Sequence, residues 1–104
     1  MEISIIMPTY NPPIKYLEKA IQSIINQTSE KFELIIILDG SNKITENICK
    51  KYKEKDKRIK IYWQKNKGEG GARNTGIEKA TNEWITFIDP DDWLEKDAIE
   101  VMQE

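Results

Sequence analysis

Three carboxylates fall within four residues, Asp89-Pro90-Asp91-Asp92, directly after the apolar run Ile85-Thr86-Phe87-Ile88. Crowded like charges are unfavourable unless water solvates them, a helix N-terminus shares them or a cation neutralises them. The chemistry this spacing suits is that of a hard divalent ion. Asp89 and Asp91 would approach Mg²⁺ or Mn²⁺ together with a diphosphate, whose oxygens complete the shell with water. The competing reading is a solvated turn with Asp92 capping the next helix. A Cys/His zinc site is excluded, because the chain has no His and a single Cys, which also rules out an intrachain disulfide framework.

Other polar groups stand after apolar runs in the same way. Asp39, in Leu38-Asp39-Gly40-Ser41, can accept a hydrogen bond from a base N–H and so favour uracil or guanine. Tyr10 suits the face of a base, and equally the packing of a loop. Arg73 follows Gly68, Gly70 and Gly71; its fork of donors fits phosphate or the acidic cluster, with a salt bridge inside the domain as the alternative. Cys49 reads as a small core residue.

The elements that must position these groups alternate. Ile3 to Met7 reads as a buried strand ended by Pro8, and Asn11-Pro12-Pro13 as the entry to a helix with Leu17, Ile21, Ile24 and Ile25 on one face. Asn26-Gln27-Thr28 reads as a polar loop. Phe32 to Leu38 is nearly continuous in apolar residues, as a strand covered on both sides would be. Ser41 or Asn42 caps the next helix, whose stripe is Ile44, Ile48 and Tyr52. Ile59 to Trp63 is a third strand with one wetter face, and Gln64 to Gly71 a glycine-rich loop. Ala72 to Ala80 is a short helix with Ile77 and Ala80 inward and Gly76 at a close approach. Glu83 to Ile88 is a fourth, buried strand. Asp92 and Glu95 have the spacing of a capping box for a last helix with Leu94, Ala98, Val101 and Met102 inward. The order β-α-β-α-β-α-β-α predicts one α/β domain over residues 1–104, with a mainly parallel four-stranded sheet and helices on both faces. All four polar clusters then share the edge where the strands end.

The composition is globular, with 38% apolar and 33% charged residues. The net charge of −2 hides a basic stretch: residues 43–67 carry ten basic and three acidic side chains. With no interleaved aromatic platform it reads as a solvated face, with a membrane surface or another domain as the second reading and nucleic acid excluded. Neither a signal peptide nor an apolar span is encoded. The expected location is the cytoplasm, with the inner face of the membrane as its variant.

Taken in order, Pro8-Thr9-Tyr10-Asn11, Ile37-Leu38-Asp39-Gly40-Ser41, Asn66-Lys67-Gly68 with Gly71-Ala72-Arg73-Asn74 and Gly76, and Phe87-Ile88-Asp89-Pro90-Asp91-Asp92 resemble the family 2 glycosyltransferases of the GT-A fold over essentially the whole chain. The resemblance implies a Rossmann-like GT-A domain binding a nucleotide-diphospho-sugar, commonly a UDP-sugar. Pro8, Thr9, Tyr10 and Asn11 would wrap the base and Asp39 would hydrogen-bond it. The helix start Ala72-Arg73-Asn74, with Gly71, would border the nucleotide. Asp89, Pro90 and Asp91 would serve ribose and diphosphate, and Asp89, Asp91 and Asp92 the Mg²⁺ or Mn²⁺. Family members often carry two consecutive acids where this chain has Leu38-Asp39. The resemblance also implies a further acceptor-binding part with the catalytic base beyond Glu104, so the chain is expected to be a truncated donor half, inactive alone. The lysine- and isoleucine-rich composition is compatible with a bacterial surface-polysaccharide enzyme.

Rival readings fare worse. A sugar nucleotidyltransferase would want a basic glycine-rich loop after the first strand, and a dehydrogenase a G-x-G-x-x-G there. A phosphoacceptor domain would leave the acidic turn without a role. A non-catalytic nucleotide-binding or interaction module remains, self-associating through apolar surface near Trp63, Trp84 and Trp93, though core packing is the expected fate of Trp84.

Overall fold

The computed structural model describes residues 1–104. In chain order the elements are β1 (Ile3–Thr9), α1 (Ile14–Ile25), β2 (Phe32–Asp39), α2 (Lys43–Lys55), β3 (Ile59–Gln64), α3 (Gly68–Lys79), β4 (Trp84–Phe87) and α4 (Ala98–Met102). All pairings are parallel, in the order β3-β2-β1-β4. β2 is buried at every position, which explains its nearly unbroken apolar sequence: a helix layer covers each face. Ile3, Ile5 and Met7 of β1 join Leu34 and Ile36 of β2 under α1, α2 and Ile99 of α4. Ile6, Ile35 and Ile37 point to the opposite face, onto Ala72 of α3. No helix is long and apolar enough to cross a membrane.

Several local expectations are overturned. β1 does not stop at Pro8; it runs through Pro8, paired with Ile37, to Thr9. Ile6 turns its carbonyl toward β4, where it accepts from the Ile88 amide. Pro8, two residues on, faces the same side beyond the last β4 residue, so its missing donor leaves no bond unmade. In α2 the buried stripe is Thr45, Cys49 and Tyr52. Ile44, one position earlier, is turned by about 100° and exposed. Asn42 rather than Ser41 caps that helix, its Oδ1 accepting from the Thr45 amide at 2.9 Å.

α3 begins at Gly68 rather than Ala72, and its buried stripe is Ala72 and Gly76, which rotates Ile77 into solvent. The close approach at Gly76 is real: a Cβ there would lie 2.3 Å from Ile6 Cγ2. Such overpacking costs about 1–3 kcal/mol. β4 was expected to be buried, yet Trp84 is 60% and Phe87 40% exposed. Its apolar residues match a strand interior, but β4 is the sheet edge and only β1 flanks it. The capping box at Asp92 and Glu95 does not form. α4 starts at Ala98 behind Asp97, which makes no side-chain cap, and Val101 and Met102 are exposed.

Two buried polar residues organise what the apolar pattern leaves open. Gln27, far from being a plain loop residue, donates from Nε2 to the Glu95 and Ser23 carbonyls, and its Oε1 accepts from the Ile99 amide at 3.0 Å. This clamps the segment after β4 against the end of α1. Glu33, within β2, accepts from Lys60 Nζ at 2.6 Å, from Ser4 Oγ at 2.6 Å and from the Thr81 amide and hydroxyl. It thereby joins β1, β2, β3 and the turn that starts β4.

Burial opposes ionisation of Glu33, but the bonds from Lys60, Ser4 and Thr81 outweigh it and hold its pKa at about 2. A depressed carboxyl contributes stability above its unfolded pKa and loses it as pH falls through the folded value. The wild-type urea midpoint is therefore expected to fall between pH 4.5 and 2 more steeply than that of Glu33→Gln. Parallel slopes for the two proteins would contradict this role.

Candidate functional site

At the edge where all four strands end lies an open cavity of about 500 Å³. β1 and its turn contribute Pro8, Thr9, Tyr10, Pro12 and Pro13, and β2 contributes Asp39. The start of α3 adds Asn66, Gly68, Glu69 and Ala72, and the segment after β4 adds Asp89, Pro90 and Asp91.

The β1 turn is built by hydrogen bonds to its neighbour. Asn11 adopts a left-handed backbone at φ 43°, which Asn tolerates better than most residues. Its Oδ1 accepts from the Asn42 amide at 2.6 Å, and Ser41 Oγ donates to the Thr9 carbonyl at 2.8 Å. Asn11 does not line the cavity, so its observed contact is the tie between two turns. Tyr10 is exposed beside the cavity.

Asp39 carries the most connected side chain of the site. Its Oδ1 accepts from Gln64 Nε2 at 2.9 Å and from the Lys67 amide at 2.7 Å, and its Oδ2 from the Gly68 amide at 2.9 Å. Gln64 is itself held through Oε1 by the Thr75 hydroxyl. A carboxylate from another strand thus satisfies amides at the start of α3, where Lys67 provides no side-chain cap. This explains why the helix takes in the glycines that read as a loop. Gly40 permits the approach: its φ is 71°, and a Cβ there would meet Asn66 Cβ at 3.2 Å. Three of the carboxylate's roughly four acceptor sites are thus occupied, which leaves one on Oδ2.

Asp89, Asp91 and Asp92 each place a carboxylate oxygen within 4.8 Å of the others, and all three are exposed. The turn is closed by the Asp92 amide donating to the Asp89 carbonyl at 3.0 Å. No side-chain hydrogen bond or ion pair of the protein engages the three carboxylates. Asp92 stands at the rim and does not line the cavity. Asp39, Glu69, Asp89 and Asp91 give the cavity four carboxylates, with no Lys or Arg in its lining. Hard oxygen donors without a competing cation fit Mg²⁺ or Mn²⁺.

Gly71 and Arg73, like Asn11 and Asp92, are expected at the site but do not line the cavity. A Cβ on Gly71 would sit 2.5 Å from Lys67 Cβ, so that glycine serves packing within α3. Arg73 pairs with Glu69 at 2.9 Å and lies 5.2 Å from the Phe87 ring centre, which is the intradomain salt bridge weighed against phosphate contact. Ala72, expected beside the nucleotide, lines the cavity, and Asn74 does not. Sequence reasoning did not select Glu69, Pro12 or Pro13, and Glu69 gave no signal that could have found it.

The sequence matches the Glycosyl transferase family 2 description over residues 4–104. Glycosyltransferase GlyA of Streptococcus pneumoniae is 41% identical over 101 residues, 97% of this chain and 14% of the relative. Putative glycosyltransferase EpsH of Bacillus subtilis is 41% identical over 100 residues, 96% of this chain and 29% of the relative. The chain therefore spans less than a third of either. The crystal structure of S. aureus TarS 1-349 in complex with UDP-GlcNAc superposes with a TM-score of 0.90 at 31% identity, over 99% of this chain and 30% of that one. The likeness carries the expected GT-A, Rossmann-like architecture over to this four-stranded sheet. By sequence and by fold, the chain belongs to glycosyl transferase family 2.

Proposed function

We propose that this chain binds the nucleotide-diphospho-sugar donor of a glycosyl transfer, with a UDP-sugar as the first candidate. The observation that carries the reading is the meeting of Asp39 and the Asp89–Asp91 turn in one cavity with Tyr10 between polar turns. The UDP-GlcNAc complex of TarS, 31% identical over 99% of this chain, supports it. The open acceptor position on Asp39 Oδ2 would take a base N–H, and Tyr10 would lie against the base. Pro8, Thr9 and Asn11 would shape the base turn, with Ala72 bordering the nucleotide. Asp89, Pro90 and Asp91 would face the ribose and diphosphate.

Asp89 and Asp91, with Asp92 at the rim, would hold Mg²⁺ or Mn²⁺. When bound, the ion neutralises phosphate charge and stabilises the leaving diphosphate. The reaction proposed for the longer enzyme is attack of an acceptor hydroxyl on the sugar C1, with departure of a nucleoside diphosphate. The base that takes the acceptor proton is proposed to lie in sequence outside these residues, which makes this segment a donor-binding half without efficient transfer of its own. Its proposed setting is the cytoplasm or the inner face of the membrane. Base and sugar specificity, the acceptor and the choice of metal belong to the tests.

A second reading, self-association, is favoured by β4: Trp84, Ile85 and Phe87 are exposed on an edge strand with no charged residue in it. Unpaired, uncharged edges invite pairing with another chain.

Isothermal titration of UDP and UDP-sugars with and without Mn²⁺ is expected to show metal-assisted heat. Asp91→Ala is expected to weaken the metal-assisted binding by about a hundredfold, the order of ~3 kcal/mol for a lost charge-assisted contact. Lys51→Ala, remote from the cavity, should leave it unchanged. No nucleotide heat from a folded sample, or equal losses in both variants, would refute the donor site. For self-association, sedimentation should give a mean mass that rises with concentration and falls back in Trp84→Lys. A strict monomer at every concentration would exclude it.

A further inference from the structure

The donor cavity poses a charge problem that the three clustered aspartates do not account for. Glu69, in the first turn of α3, also lines it, adding a carboxylate where a diphosphate is proposed to sit. Unlike Asp39, it accepts no backbone amide; its one partner is Arg73, a turn further along the same helix, at 2.9 Å. Arg73 does not line the cavity, although its guanidinium lies 5.2 Å from the ring centre of Phe87, two residues before Asp89. The arginine nearest in sequence to the cavity's α3 wall is therefore held against the edge strand and away from the cavity.

We infer that Glu69 is a positioning residue that enforces metal dependence, by parking Arg73 on Phe87 and by keeping the cavity negative. The inference rests on the donor-site reading. An exposed i,i+4 ion pair is weak alone, and so is an exposed cation–π contact. Together they are of the order of one arginine–phosphate bond in an open cleft. Arg73 is thus balanced between its parked place and a bound phosphate. With Glu69 ionised, the balance favours parking and a divalent ion must supply the positive charge. Without the Glu69 charge, repulsion of the phosphates falls and Arg73 is free to turn its fork toward them. The arginine would then substitute in part for the ion. Neither side chain is buried, at 44% exposure for Arg73 and 65% for Glu69, so substitutions act on the balance and not on the core.

The test is titration of UDP, and of uridine as a phosphate-free control, into wild type, Glu69→Gln, Arg73→Ala and the double variant, in Mn²⁺ and in EDTA. In EDTA, Glu69→Gln is expected to bind UDP about tenfold more tightly than wild type, the scale of one added charged hydrogen bond. The gain should be smaller in Mn²⁺ and absent for uridine. Most of it should disappear in the double variant, which keeps only the relief of repulsion, while Arg73→Ala alone changes metal-free binding little. A Glu69→Gln protein with unaltered metal dependence overturns the inference and leaves the donor site standing. A gain that persists in full in the double variant also overturns it, because Arg73 is then not the substitute. Failure of UDP to bind wild type even with Mn²⁺ overturns the donor reading, and this inference with it.

Discussion

Burial of β1 and β2 on both faces is the constraint from which the site follows. A strand as apolar as Phe32–Leu38 has no solvated face to offer, so helices must cover the sheet on either side. Helical crossovers make the strands parallel, and parallel strands end on one edge. The turns after β1, β2 and β4 and the start of α3 therefore meet, although they span residues 8 to 91 of the sequence. Polar segments that the core cannot accommodate become the walls of one cavity.

Within that edge, two carboxylate groups are treated in opposite ways. Asp39 is satisfied by amides and an amide side chain, so its charge serves the helix start and its geometry is fixed. Asp89, Asp91 and Asp92 have no such partners and remain exposed. The first arrangement suits a rigid recognition group, the second a group waiting for a cation. Glu33 and Gln27 set the frame from the other end: one fixes the turn before β4 and the other the segment after it. The acidic turn is thus held at both sides without being touched itself.

Much of this was legible in the residues. The parallel order, the polar strand ends and the close approach at Gly76 all follow from local pattern. What was not legible depended on neighbours distant in sequence. Asp39 reaches Lys67 and Gly68 across 28 and 29 positions, and no spacing rule announces that an acid on one strand will start a helix elsewhere. β4 has an interior sequence but an edge position, and exposure is set by what stands beside it. Ile44 and Ile77 missed their faces because Cys49 and Gly76, small and silent in a hydrophobic count, define the buried stripes. Glu69 had the residue type least expected where a diphosphate is proposed, so only the cavity reveals it.

Base and diphosphate are proposed to share one cavity, with the metal at the acidic turn. Amide-resolved NMR with UDP and substoichiometric Mn²⁺ tests it most directly, since the paramagnetic ion broadens only nearby signals. The account predicts UDP-dependent broadening centred on residues 89–92, with shifts at Tyr10 and at the Lys67 and Gly68 amides. Broadening that is centred elsewhere, or that is indifferent to UDP, would contradict it.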